Sequence, residues 1–136
     1  MDATQADIYL VSRQERSIVM GRPYIYLAVD TATHLIAGVY IGFSCDETAV
    51  MACIEQATMD KVAYCARYGI EITPEQWPSA GMPSEIITDQ GREFFGPRMS
   101  ELCRRYGLEV LTLPPFRPDC KGAVEKTIDL LQQRYK

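Results

Sequence analysis

Three acidic residues stand where a folded chain could use them together: Asp2 near the start of the first extended run, Asp89 at the end of an apolar run, and Glu125 on the polar side of a closing helical pattern. Carboxylate oxygens are the ligands that hard divalent cations prefer. Two such ions assist displacement at a phosphodiester, one activating the nucleophile and one stabilising the leaving oxygen. Without a cation, three converging carboxylates repel one another and raise their own pKa values, so the grouping makes electrostatic sense chiefly with Mg²⁺ or Mn²⁺ bound. Each acid also has an ordinary reading. In ITDQGREFF, residues 86–94, Asp and Gly are common turn formers, and Asp89 with Gly91 could simply end a strand. Glu125 could be a solvated helix position. In the first run, Asp2 and Asp7 are an odd number of residues apart, so an unbroken strand sends them to opposite faces, with Thr4 sharing the face of Asp2. Asp7 and Asp30 are the alternative first ligands; otherwise they read as a strand-edge charge and a hairpin turn residue.

Positioning such acids requires a scaffold, and the chain spells one out. Ile8–Val11, Tyr24–Val29 and Leu35–Phe43 are rich in Ile, Val, Leu and Tyr and read as three successive strands. The Asp30–His34 link is short enough for an antiparallel hairpin, whereas Ser12–Pro23 is a longer polar connection carrying Arg13, Arg16 and Arg22. Ser44 with Glu47 matches a capping box, and Val50, Cys53, Ile54 and Ala57 follow at helical spacing. That helix can run to Gly69, with a bend near Thr58–Lys61. Residues 71–83, with three prolines and Trp77, read as an ordered surface connection. A strand at Glu85–Thr88, a helix around Pro97–Tyr106 ended by Gly107, and a strand at Glu109–Leu113 come next. Pro114, Pro115 and Pro118 forbid regular structure until about Asp119. The last helix then sets Val124, Ile128, Leu131 and Tyr135 on an apolar face and Glu125, Asp129, Gln132 and Lys136 on the adjacent polar one. The order βββαβαβα predicts an α/β domain with a mixed sheet.

At 136 residues and 47% hydrophobic content, the chain is long enough for one substantial core and too short for two ordinary domains. It reads as one catalytic-core domain over 1–136, an excised piece of a longer multidomain protein. Without a membrane-length apolar run or a signal peptide, a cytoplasmic location is expected. The five cysteines form no CxxC pair and His34 is the sole histidine, so zinc-finger spacing is absent and buried reduced thiols are expected. His34 reads as a hairpin surface residue and Trp77 as packing. The net charge of −4 argues against a strongly basic nucleic-acid surface. Assigning three acids to metal ions leaves the remaining charges nearly balanced.

The DATQADIYLVS start, GRPYIYLAVD, the long helix and insertion before Asp89, and the PPFRPDCKGAVE approach to the last helix resemble the catalytic core of the retroviral integrase superfamily, the Asp-Asp-Glu transposases. The resemblance covers nearly the whole chain and looks closest to the transposases of phage Mu and of heteromeric cut-and-paste transposons. It implies an RNase H-like fold: a five-stranded mixed sheet flanked by helices, first and fourth strands side by side, and a last helix bringing its Glu to the same edge. Asp2, Asp89 and Glu125 inherit the catalytic, metal-binding triad, with two Mg²⁺ or Mn²⁺ ions. The implied activity is cleavage at transposon ends and transfer of the 3′-OH into target DNA, by a homo-multimer that works with other transposition proteins. A nuclease or mobile-element integrase of the same fold, or an inactive assembly module, is the alternative. Arg117, Lys121 and Lys126, with Arg104 and Arg105, are the expected phosphate contacts. Glu93 and Phe94 match the Gly-x-Glu-Phe tail that often follows the second Asp. Gln90 departs from the Asn common there, and Asp129 and Gln132 replace the family's lysine pair beyond the Glu.

Overall fold

The computed structural model describes residues 1–89, 91–113 and 122–135. Its strands are β1 (Asp2–Gln5), β2 (Leu10–Val11), β3 (Val19–Gly21), β4 (Tyr24–Val29), β5 (Ile36–Gly42), β6 (Glu85–Thr88) and β7 (Glu109–Thr112). Its α-helices are α1 (Glu47–Thr58), α2 (Lys61–Ala66), α3 (Pro97–Tyr106) and α4 (Gly122–Tyr135). Strands β1, β4 and β5 form an antiparallel sheet in that order, while β6 and β7 pair in parallel across the α3 crossover. Four of the five expected strands are sheet strands among the described residues, with β1 in the place expected of Ile8–Val11, in hydrogen-bonded pieces of three and two. The Met1 amino nitrogen links the pieces by donating to the Ile87 carbonyl oxygen at 2.6 Å.

Strand alternation divides the interior into two layers. Tyr26 of β4 packs among Val50, Cys53 and Ile54 of α1, Ile86, Phe94 and Met99, with Tyr24 and Ala28 against the same cluster. Ile25 and Leu27, on the other face, meet Val124 and Ile128 of α4, with Val29 and Leu131 alongside. Helix α1 rides close on β5: a Cβ at Gly38 would fall 2.5 Å from the Cys53 carbonyl oxygen and 2.8 Å from the Ala57 Cβ. Only a residue without a side chain permits that approach.

The run Ile8–Val11 is not a strand of the main sheet. The Ala6 amide donates to the Pro23 carbonyl at 2.8 Å, and Arg22 bonds both the Ala6 carbonyl and Asp7 at 2.6 Å. These contacts end β1, and Leu10–Val11 of that run pairs instead with Val19–Gly21, inside the segment read as a polar connection, as a β2–β3 ribbon. Ile8 still packs against the α4-side cluster, but Tyr9, Leu10 and Val11 are exposed.

The expected capping box at Ser44 is also replaced. Asp46 caps α1, its Oδ1 accepting from the Thr48 amide at 3.0 Å. Glu47 is drawn away because its Oε1 accepts from the Met99 amide at 2.7 Å, in the first turn of α3, where helix amides lack internal partners. The helix breaks at Met59 and Asp60 rather than running to Gly69, and Asp60 caps α2 through the Ala63 amide at 3.0 Å. At the break Lys61 is only 1% exposed, and its Nζ donates at 3.0 Å to each of the Gln56, Ala57 and Met59 carbonyls, closing the C-terminus of α1. The Trp77 ring lies 5.5 Å from that ammonium, and its Nε1 donates to the Ile36 carbonyl at 2.6 Å, so residue 77 pins the surface connection to β5.

Other expectations hold. Asp30–His34 closes the β4–β5 hairpin with His34 exposed at φ 60°, and Gly107 ends α3 in the left-handed conformation. Cys53 and Cys65 are buried, and burial pushes the Cys53 thiol up to about 12. Cys103 is half-buried, but Cys45 is exposed because it lies in the connection ahead of α1. Cys120 and the proline-rich approach to α4 lie outside the described residues.

Candidate functional site

Asp2 sits opposite Leu27 in the β1–β4 ladder, and Thr4 sits opposite Ile25. Directly opposed residues share a face. Since Leu27 and Ile25 lie under α4, Asp2 and Thr4 are on the α4 side, and Met1 and Ala3 pack on the α1 side. The Asp2 Oδ1 accepts from the Ala3 amide at 2.9 Å. On β6, Ile86 belongs to the α1 layer, so the alternation carries Ile87 and Asp89 to the opposite face. The Met1–Ile87 bond sets the beginning of β1 beside the end of β6. Asp89 is half-buried, and its Oδ1 accepts from the Gly91 amide at 3.1 Å. The turn reading holds, and the turn fixes the carboxylate at the strand's end.

Glu125 comes from the other layer. Val124 and Ile128 anchor α4 on the sheet, while the Gln132 Nε2 donates to the Thr4 Oγ1 at 3.4 Å. Residues 125 and 132 are two turns apart and lie on one side of the helix, so the side bearing Glu125 borders β1. Val124 and Asp2 line a common cleft of about 510 Å³, together with Asp30, Ile87 and Thr88, which places the N-terminal turn of α4 at the Asp2 end of β1. Glu125 itself is exposed. Among the described residues, no three His, Cys, Asp or Glu side chains are near enough to share a metal ion. Asp2 and Asp89 thus stand at the neighbouring ends of β1 and β6, while Glu125 lies exposed on α4 and the three are not drawn into a cluster among the described residues.

The donor set suits a hard, oxygen-seeking cation such as Mg²⁺ or Mn²⁺, since each acid offers carboxylate oxygens and no thiolate or imidazole. Thr88, on the face of β6 that Ile86 shares and away from Asp89, has a buried Oγ1 with no hydrogen-bond partner among the described residues. A buried hydroxyl of that kind calls for a water or ligand oxygen.

The alternative acids have structural duties. Asp7 lies beyond β1 in the 2.6 Å ion pair with Arg22. Asp30 accepts from the Thr33 hydroxyl at 2.6 Å and the Ala32 amide at 3.1 Å, and these bonds, the hydroxyl first, hold its carboxyl below the usual range. Glu93 faces Tyr26 in the α1 layer; burial, reinforced by the Glu93 carboxylate, raises the Tyr26 phenol well above its ordinary value. Lys126 is exposed on α4 beside Glu125. Arg104 is held by Glu101 at 2.7 Å, and the Arg105 guanidinium lies 5.9 Å from the Tyr106 ring. Gln90, Arg117 and Lys121 lie outside the described residues. Sequence reasoning missed the Gln132–Thr4 link, although its signals were available: Thr4 shares the face of Asp2, and Gln132 stands two turns beyond Glu125.

The chain matches the family model described as TnsB C-terminal domain over residues 1–136. It is 39% identical over 137 residues to the Transposon Tn7 transposition protein TnsB of Escherichia coli, covering 100% of this chain and 19% of that protein. Among solved structures it resembles the HTLV-2 integrase catalytic core domain in complex with magnesium, with TM-score 0.58 and 17% identity over 97% of this chain and 64% of that one. It also resembles the BIV integrase catalytic core domain, with TM-score 0.59 and 22% identity over 98% of this chain and 65% of that one. These likenesses identify the architecture as RNase H-like. Among the described residues no helix is long and apolar enough to cross a membrane.

Proposed function

Because this chain belongs to the TnsB C-terminal domain family, we propose that it is the phosphoryl-transfer core of a DNA transposase, acting within a longer protein that cleaves a strand at transposon ends and joins the freed 3′-OH to target DNA. The observation that supports this reading is the Met1–Ile87 bond, which holds the start of β1 beside β6, with the Gln132–Thr4 bond tying α4 to β1.

Asp2 and Asp89 present their oxygens from the sheet, each steadied by a backbone amide, so little side-chain freedom is lost when they act. Glu125 is presented from a helix anchored by Val124 and Ile128. These three residues would hold Mg²⁺ or Mn²⁺, and a pair of such ions supplies Lewis-acid stabilisation of the attacking and leaving oxygens. No protein nucleophile is required, since water and a DNA hydroxyl serve in turn. Lys126, beside Glu125, offers a phosphate contact, as do Arg117 and Lys121. The working assembly is a multimer on paired DNA ends, joined by other transposition proteins.

Asp89→Asn in the full-length protein should cut strand joining by more than about 100-fold, because even outer-shell partners of a metal site are worth about 10–100-fold. Its thermal unfolding should match that of the parent. Asp7→Asn, which weakens the ion pair with Arg22 outside the proposed triad, should still join strands. Parental joining by Asp89→Asn would reject the assignment.

A further inference from the structure

The β2–β3 ribbon stands apart from the three proposed metal ligands, and among the described residues its strands pair only with each other. Its register slips between Leu10 and Val11: Leu10 stands opposite Gly21, Val11 opposite Val19, and Met20 is the extra residue between them. Leu10 and Val11 therefore point to opposite faces. Both faces are open, with Leu10 and Val11 exposed, Val19 60% exposed and Met20 57%. A flat protein surface could cover only one of the two. The tip differs in kind from this apolar stem. Arg13 and Arg16 are exposed there and form no ion pair among the described residues, whereas Glu15, the one acid of the tip, accepts from the Ser17 hydroxyl at 2.8 Å. The arm is shaped at both ends. The Ser12 amide donates to the Ile18 carbonyl at 2.9 Å and the Ser12 Oγ accepts from the Gln14 amide at 3.2 Å, while the Ala6–Pro23 bond and the Arg22–Asp7 pair fix where the ribbon leaves β1.

We propose that this ribbon is a DNA arm that enters the major groove of the duplex whose phosphate reacts at the acids. The inference rests on the transposase reading above and adds to it a contact outside the phosphoryl-transfer site. A major groove, about 12 Å wide, admits a two-stranded ribbon and walls it on both sides, which suits a stem open on both faces. Val11, Val19 and Met20 meet thymine methyl groups there, the apolar feature of that groove. The Arg13 and Arg16 guanidinium groups match the phosphates along its rim. Charge also selects the tip: the whole chain carries 18 acidic against 14 basic residues, so a locally basic projection is where a polyanion is drawn. The fastened neck sets the distance. Ala6 lies just beyond the far end of β1 from Asp2, about 13 Å along an extended chain. With base pairs spaced by about 3.4 Å, the arm and its tip fall about 4–8 base pairs from the reacting phosphate.

Fluorescence anisotropy of labelled duplex with the full-length protein, without divalent ions, reads binding apart from cleavage and joining. Arg13→Ala with Arg16→Ala should weaken binding at least about fivefold and flatten the slope of log affinity against log salt by about 2, since each lost phosphate contact removes about 0.9. Both positions are exposed in the tip, so circular dichroism should match the parent. Arg67→Ala, at an exposed arginine elsewhere, should change neither affinity nor slope. A benzophenone photoprobe in place of the Gln14 side chain should crosslink to DNA about 4–8 base pairs from the reacting phosphate, and separate labels on the transposon-end and target duplexes tell which of the two the arm holds. Parental affinity and salt slope in the double arginine variant would overturn the proposal. Crosslinks to protein instead of DNA would also overturn it and make the ribbon a protein-docking arm. Neither result bears on strand joining by Asp89→Asn, so a failed arm leaves the phosphoryl-transfer reading to its own test.

Discussion

The two faces of the β1–β4–β5 sheet are built to different standards. On one face α1 is capped by Asp46, closed by the buried Lys61, bonded through Glu47 to α3 and pressed against Gly38. On the other, α4 rests on Val124 and Ile128, with Leu131 beside them and Gln132 reaching Thr4. The first face is over-determined and the second is held by few contacts. The candidate acids belong to the second. Among the described residues the α1 layer therefore carries more of the contacts that set strand register than the α4 layer does.

The largest expected effect comes from hollowing each layer in turn. Ile54→Ala, under α1, should cost about 3 kcal/mol in urea unfolding, and Ile128→Ala, under α4, about 2 kcal/mol. Strand joining by the full-length protein should show the reverse order, with Ile128→Ala the more damaging once both are compared at equal folded fraction. Equal loss of joining would break the contrast between faces.

Next in size is Lys61→Ala, which strips three carbonyls of a charged donor and should cost about 2 kcal/mol. Burial lowers the Lys61 pKa below its ordinary 10.5, with Asp60 opposing. Between the lowered value and 10.5 the unfolded chain therefore binds more protons than the folded one, so stability rises with pH across that window. In Lys61→Met this contribution should vanish from unfolding curves recorded at successive alkaline pH values.

The smallest effect belongs to Gln132→Ala. Its bond to Thr4 is long and half-exposed, so denaturant midpoints should report a loss under about 1 kcal/mol. A larger cost would mean that α4 is held more firmly than its packing indicates.

What the sequence made legible was decided locally. Gly107 ends α3, Asp30–His34 turns the hairpin, and the apolar period of α4 faces the sheet because each of these depends on neighbours a few residues away. The carboxylate edge was legible through resemblance and through the parity of Asp2 and Thr4, which the ladder with β4 reproduces. What escaped depends on distant partners. Glu47 leaves the local cap for an amide 52 positions on, and Lys61 is buried only because three carbonyls and Trp77 surround it. The Ile8–Val11 run has a core strand's composition, and composition cannot tell a side chain covered by its own chain from one left open.

The closure at Ala6, Asp7, Arg22 and Pro23 has a practical corollary. Everything between those residues hangs from a fastened neck, so lengthening or shortening the excursion leaves the alignment of Asp2 with Leu27 untouched. A fluorophore or a short peptide grafted between Arg13 and Arg16 would therefore report from outside the β1–β4–β5 sheet without shifting its geometry.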